Sequence, residues 1–266
     1  MTETAKTEKL LLQKDGPIGW ITFNQPEKRN AVSQEMWQAM PEYVADLAAD
    51  PAIRVVILRG AGETAFVAGA DISQFKDRRR NAADEEEYRR ISGAGSDSLA
   101  RLGKPLVAMI HGFCIGGGLG VALQCDLRIA GENARFGIPA ARLGLGYRWG
   151  GVKKLVDLVG PAFAKEIFFT ARQFSAAEAL AMGLVNRALP MAELEEYVRG
   201  YCAMIAENAP LTIEAVKGVV DELAKPGAQI DRAHCEALVA RCFDSQDYIE
   251  GRRAFMEKRK PVFVGK

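Results

Sequence analysis

Three consecutive glycines, Gly116-Gly117-Gly118, follow the apolar run Val107 to Ile110 and lead into a second apolar stretch through Leu123. The first run has the pattern of a buried strand, and the second reads as the start of a helix. Glycine inside a helix costs roughly 0.5–1 kcal/mol against alanine, so the triplet implies that something approaches the backbone closely. A helix N-terminus offers unpaired N–H groups and the positive end of a dipole. An oxygen that becomes negative during a reaction suits such a place. A second strand-to-glycine break, Ala65-Phe66-Val67-Ala68-Gly69-Ala70-Asp71-Ile72, repeats the device. The amides of Ala70 and Gly117 can then address one carbonyl oxygen as an oxyanion hole. Each cluster taken alone is a weak signal, and a triplet such as Gly116-Gly117-Gly118 is more often tight packing than catalysis. Neither is a Walker loop, since no Gly-Lys-Ser/Thr follows, and neither has GxGxxG spacing.

The elements that must position these amides follow from hydrophobic patterning. Leu10 to Lys14 and Ile18 to Asn24 read as strands joined around Asp15-Gly16-Pro17. Ser33 caps a helix to about Ala49 that contains Pro41. Val55 to Leu58, Leu127 to Ala130 and Ala134 to Gly137 read as further strands, and Glu85 to Leu102 as a helix. The alternation predicts βαβ units with parallel pairing, an α/β fold. From Gly150 onward strand signals nearly vanish. Ser175-Ala176-Ala177-Glu178 forms a capping box, and Leu184 to Asn186 is a last extended piece. Helices are expected at about 191–206, 210–224, 230–242 and 246–258. The chain therefore divides into a core over 1–189 and a helical region over 190–266.

With 266 residues, 48% of them hydrophobic, a large core is possible. A net charge of +1 gives no bulk attraction to nucleic acid or membrane. The basic run Arg78-Arg79-Arg80 is offset by Glu85-Glu86-Glu87 and reads as part of a solvated face. No apolar run approaches 18 residues, and Met1 to Lys6 has no signal-peptide pattern. Cys114, Cys125, Cys202, Cys235 and Cys242 show no metal spacing and read as reduced thiols, which places the protein in the cytoplasm. Cys114, between Phe113 and Ile115, reads as structural rather than nucleophilic. His111 and His234 are the two histidines, too few for a histidine-rich metal site. No metal ligand set is expected, and His111 reads as a structural hydrogen-bonding residue.

Taken together the segments resemble the enoyl-CoA hydratase/isomerase (crotonase) superfamily over essentially the whole chain. The resemblance rests on Asn24 to Ala31, Ala65 to Ile72, Lys104-Pro105, His111 to Gly118, Cys125-Asp126, Phe136 to Pro139, Arg142 to Leu145, Ala179 to Val185 and Phe255 to Pro261. It implies a ββα-spiral core and a C-terminal helical trimerisation region, giving a homotrimer or a dimer of trimers. It implies a CoA thioester whose carbonyl lies between the Ala70 and Gly117 amides, beside Gly116. CoA would be substrate rather than a permanently bound cofactor. It would run along Ala68, Gly69, Ala70, Asp71 and Ile72, with Lys28 and Arg29 meeting its phosphates. Phe255 and Lys258 of a neighbouring subunit would close over the nucleotide.

The chain also departs from that pattern. The two glutamates with which hydratases of the family direct water and deliver a proton would fall at Gly120 and Ala140. Glycine and alanine transfer no protons. In Leu145-Gly146-Tyr147-Arg148-Trp149 a tyrosine stands where hydratases usually carry proline, as in methylmalonyl-CoA decarboxylase-like members, which have a histidine at the Ala70 position. The expectation is a CoA-thioester lyase working through an enolate-like state, decarboxylation being one example, with Tyr147 and Arg148 facing the acyl group. A packing role for Tyr147 beneath a loop with Trp149 stands beside it. The alternatives are a hydratase with substitute groups such as Asp71, Glu63 or a Tyr147-bound water, and a catalytically silent acyl-CoA-binding protein.

Overall fold

The computed structural model describes residues 7–71, 82–225 and 227–266. Ile72, Arg78-Arg79-Arg80 and the first six residues lie outside them.

Two sheets and the helices between them are built from a repeated unit. Strand β1 (Leu10–Asp15) pairs antiparallel with β2 (Ile18–Phe23). After helix α1 (Gln34–Ala49), capped by the Ser33 hydroxyl accepting from the Met36 N–H, the unit appears three times. The first comprises β3 (Val55–Gly60), β4 (Ala65–Val67) and α2 (Ala82–Ala100). The second comprises β5 (Leu106–Ile110), β6 (Phe113–Ile115) and α3 (Gly117–Ala122). The third comprises β7 (Leu127–Gly131), β8 (Arg135–Gly137), a 3-10 turn at Pro139–Leu143 and α4 (Trp149–Thr170). The first strand of each unit joins a large sheet of order β1-β2-β3-β5-β7-β10, with β10 at Arg187–Leu189, in which every pair after the hairpin is parallel. The second strand joins a small sheet of order β4-β6-β8-β9, with β9 at Phe174–Ser175. This is the expected ββα spiral.

The parallel strands are buried on both faces, which is why they read as continuous apolar runs rather than alternating ones. Ile21, Phe23, Val56, Leu58, Ala108 and Ile110 face the larger core shared with α1 and the small sheet. Ile18, Trp20, Val55, Ile57, Val107 and Met109 face the opposite side. That side is closed by Leu194, Val198 and Cys202 of α6 (Met191–Ala206). The last strands are β9 (Phe174–Ser175) and β10 (Arg187–Leu189), flanking α5 (Ala176–Ala181) with its capping box at Ser175 and Glu178. After α6 the described chain is helical: α7 (Pro210–Leu223), α8 (Arg232–Phe243) and α9 (Gln246–Glu257), then a tail whose Val264 and Gly265 amides donate to Asp247.

Local rules miss one stretch. Trp149–Thr170 is helical despite Gly150, Gly151, Gly160 and Pro161, and it bends where Gly160 takes φ 75°. Buried Leu155, Val159, Ala164 and Ile167 hold it to the core, outweighing the breakers. Among the described residues no helix is long and apolar enough to cross a membrane.

Candidate functional site: two amides at adjacent strand exits

The small sheet brings the two glycine breaks together. Strand β4 pairs in parallel with β6, Ala65 opposite Phe113 and Val67 opposite Cys114, so the chain leaves both strands at the same edge. The exit of β4 is Ala68-Gly69-Ala70, and the exit of β6 is Gly116-Gly117. A methyl group built on Gly117 would lie 3.5 Å from the Ala70 nitrogen. The approach rests on Gly118, whose own methyl would come within 1.9 Å of the Val67 carbonyl oxygen. Only glycine lets α3 start so near the neighbouring strand. Gly116 adds the turn, with φ 55° and its amide donating to the Gly137 carbonyl at 2.8 Å.

The direction of the Ala70 amide is set by its neighbours. Val32 donates to the Gly69 carbonyl at 2.8 Å, and the Asp71 amide donates back to Val32 at 3.0 Å. Successive groups of an extended chain point to opposite sides, so the Ala70 N–H turns away from Val32. Gly117 is the first residue of α3, where amides have no partner within the helix. Neither amide donates to an acceptor among the described residues. Because α3 has only six residues, the paired amides matter more here than its dipole.

The segment before the first break is anchored by Asn30, which is fully buried. Its Nδ2 donates to the carbonyls of Ala61 at 2.9 Å and Ala65 at 2.7 Å, and its Oδ1 accepts from the Gln25 amide. The Arg29 carbonyl accepts from the Ala68 amide at 3.0 Å. Lys28 Nζ bonds Asp71 Oδ2 at 2.9 Å, so the expected phosphate ligand is also the cation that balances a nearly buried carboxylate. The Arg29 guanidinium, in an exposed residue, lies over the Phe113 ring at 4.9 Å. Ala68, Gly69, Ala70, Asp71, Gly116 and Gly117 thus form one edge, with Lys28 and Arg29 beside it.

The remaining candidates lie elsewhere on the chain. Tyr147 meets Phe168 edge-on at 4.9 Å and packs against the core, while Trp149 is 73% exposed. Burial pushes the Tyr147 phenol above its ordinary value of 10.0, so it remains a proton-bearing donor near neutrality. Arg148 is exposed at the N-cap of α4. Phe255, 83% exposed, is near the end of α9, and Lys258 caps that helix. Cys114 and Cys125 are fully enclosed, and burial drives both thiols up, Cys125 to about 12. Neither is a ready nucleophile. Among the described residues no cluster of His, Cys, Asp and Glu is suited to a metal ion.

The two positions without glutamate differ physically. Beside Gly120 there is open space, with nothing within 4 Å of where a side chain would begin. Ala140 is buried in the apolar core, at the 3-10 turn. Glu63, a possible substitute, lines a separate cavity with Arg59, His111, Met191 and Glu195. Sequence reasoning passed over Gln124 and Lys154 near Gly120. It also passed over Arg128, whose isolated charge inside the apolar run Leu127 to Ala130 was the available signal.

His111 is buried, and its Nε2 has no hydrogen-bond partner among the described residues. Burial lowers its pKa below the ordinary 6.5; the Gly62 carbonyl and Glu63 oppose this, and Arg59 reinforces it. The folded state therefore binds fewer protons than the unfolded chain. Its contribution is fully present above the unfolded value of about 6.5 and is lost as pH falls toward the lower folded value. The melting temperature is expected to drop between neutral pH and about pH 5. His111→Leu should flatten that part of the profile; an unchanged profile would remove His111 as its source.

An α/β spiral with two glycine breaks at adjacent strand exits defines a class, and the chain belongs to the enoyl-CoA hydratase/isomerase family, whose sequence model matches residues 13–266. It is 35% identical to a short-chain-enoyl-CoA hydratase of Clostridium acetobutylicum, over 94% of this chain and 95% of the relative. It is also 35% identical to a carnitinyl-CoA dehydratase of Salmonella typhi, over 98% and 100%. The fold matches the crystal structure of an enoyl-CoA hydratase/carnithine racemase from Magnetospirillum magneticum with TM-score 0.93 and 34% identity, covering 98% and 97% of the two chains.

Proposed function

We propose that the protein binds an acyl-CoA thioester with its carbonyl oxygen between the Ala70 and Gly117 amides, and that it stabilises the enolate formed there. The single observation that carries this is the 3.5 Å approach of the Gly117 side-chain position to the Ala70 nitrogen, with neither amide donating to an acceptor among the described residues. CoA enters as part of the substrate, along Ala68 to Asp71, with Lys28 and Arg29 on the phosphate side. Phe255 and Lys258 of a neighbouring subunit close over the nucleotide in a trimer or a dimer of trimers. The work is done in the cytoplasm.

The reaction that best suits the residues is a lyase step that needs no carboxylate base, such as decarboxylation. The C–COO⁻ bond breaks, CO₂ leaves, and the bonding electron pair moves onto the thioester oxygen held by the two amides. A proton then returns to carbon, with the Tyr147 phenol or water as donor. Gly120 and Ala140 support this reading because neither can move a proton. The names of the relatives favour a second reading, hydration of an enoyl-CoA with water held by other groups.

The assay is CO₂ release from dicarboxylyl-CoA thioesters. In these substrates the carboxylate is borne by the carbon α to the thioester carbonyl, as in a malonyl-type CoA, or by the γ carbon of an enoyl thioester; the assay is run beside hydration of crotonyl-CoA. CO₂ release that weakens in Tyr147→Phe supports the first reading. Hydration without CO₂ release replaces it with the second. Tight binding with no turnover on either panel leaves a silent acyl-CoA carrier.

A further inference from the structure

The turn that precedes the first glycine break is strained. Arg29 and Asn30, two successive residues with side chains, take φ 53° and 56°. That is the left-handed region, which non-glycine residues enter at a cost. The turn keeps this shape because it is held from several sides. The Lys28 amide donates to the Gln25 carbonyl at 2.9 Å, and the Arg29 amide to the Pro26 carbonyl at 3.0 Å. The buried Asn30 side chain ties the turn to the carbonyls of Ala61 and Ala65. Strain of this kind persists where the surroundings over-determine a conformation, and it clusters at functional sites. Here it fixes the starting point of the Lys28 side chain, whose Nζ meets Asp71 Oδ2 at 2.9 Å.

Asp71 directly follows the residue that carries the first oxyanion amide. Ala70 is bracketed by two hydrogen bonds to one partner. The Val32 amide donates to the Gly69 carbonyl at 2.8 Å, and the Asp71 amide donates to the Val32 carbonyl at 3.0 Å. The Gly69 carbonyl and the Ala70 N–H belong to one planar trans peptide, in which they point in opposite directions. Whatever holds that plane therefore aims the amide. Gly69, with φ 123°, has no side chain to stiffen it. Restraint has to come from its neighbours: Val32 on one side, and the Asp71 side chain further along. That side chain is only 4% exposed. Separating so buried a carboxylate from a cation is strongly disfavoured, so this pair pins the backbone more firmly than a pair on the surface does.

We propose that Lys28 and Asp71 are positioning residues for the oxyanion hole, their ion pair holding the peptide that carries the Ala70 N–H at the angle the thioester oxygen needs. The inference rests on the thioester reading above. It gives Lys28 a role apart from any contact with CoA phosphates. It holds for decarboxylation and for hydration alike, because both place negative charge on the same oxygen.

The test is the infrared stretch of an isotope-labelled thioester carbonyl in two ligands, each bound at saturation. One is butyryl-CoA; the other is butyryl-pantetheine, which keeps the thioester and lacks the phosphates. In Lys28→Met and in Asp71→Asn the band should move back toward its aqueous position by about half of the parental shift, with either ligand, because one of two donors is misaimed. Lys28→Arg keeps the pair and should keep the parental band. A pair that serves stability alone would lower the melting temperature and leave the band in place, and that result overturns the inference while the oxyanion reading stands. A band that moves in Lys28→Met with butyryl-CoA but not with butyryl-pantetheine assigns Lys28 to the phosphates and overturns it too. If the carbonyl of a bound ligand is unpolarised in the parent itself, the oxyanion reading falls and takes this inference with it. Asp71→Asn leaves no unpaired buried charge, so it decides the matter even if Lys28→Met folds poorly.

Discussion

Gly117→Ala is expected to lower turnover by roughly 10²–10³-fold while the protein stays folded. The added methyl would stand 3.5 Å from the Ala70 nitrogen, an ordinary contact distance, so the backbone need not move. Gly117 is not among the positive-φ glycines, which leaves alanine conformationally acceptable there. The methyl would, however, occupy the notch between the two amides, where the thioester oxygen must sit. The loss should appear in kcat, because the oxygen gains most of its negative charge after binding. A steady-state comparison beside a thermal melt checks it. A variant that melts like the parent and turns over at the parental rate would show that the notch is not where the oxygen goes.

Arg128→Met is expected to cost on the order of 3 kcal/mol or more of stability. The guanidinium is 4% exposed and donates to three carbonyls: Leu184 at 2.8 Å, Cys125 at 2.6 Å and Ala122 at 3.4 Å. It thereby covers the carbonyl end of the helix whose other end carries Gly117, a favourable place for a cation. Methionine fills similar volume but leaves these acceptors unpaired. Lysine should restore little, since a point charge cannot reproduce the fork. Denaturant melts of the three proteins check the expectation. A methionine variant within about 0.5 kcal/mol of the parent, the range usual for surface changes, would mean that water or relaxation replaces the bonds.

The apolar strands, the Ser33 and Ser175 helix starts and the C-terminal helices are legible because each is a local pattern. The ββα repeat is not, although it runs three times. Its second strands are three residues long, and the helices after them differ in length and burial, so no side-chain periodicity marks the unit. Strand β10 illustrates a different limit. Extended structure is expected at Leu184 to Asn186, but pairing begins at Arg187 opposite Ile129. The preceding residues are occupied by Arg128: Leu184 accepts from its Nε, and the Asn186 side chain accepts from its amide. A buried cation three strands away in sequence order is invisible to a window of neighbouring residues.

The site divides the same way. Ala70 and Gly117 can be picked out because glycine breaks after short apolar runs are a visible cost that calls for a reason. That the two breaks meet depends on β4 pairing with β6, which sequence order does not reveal. Lys28 looks like a solvated turn residue until its contact with Asp71 is seen.

The infrared spectrum of a bound, unreactive saturated acyl-CoA, isotope-labelled at the thioester carbonyl, tests the two-amide claim most directly. Hydrogen bonds from Ala70 and Gly117 should polarise that carbonyl and move its stretch below the value in water, and Gly117→Ala should return it toward the aqueous position. A carbonyl that stretches at its aqueous frequency in the intact protein, with the ligand shown to be bound, would contradict the account.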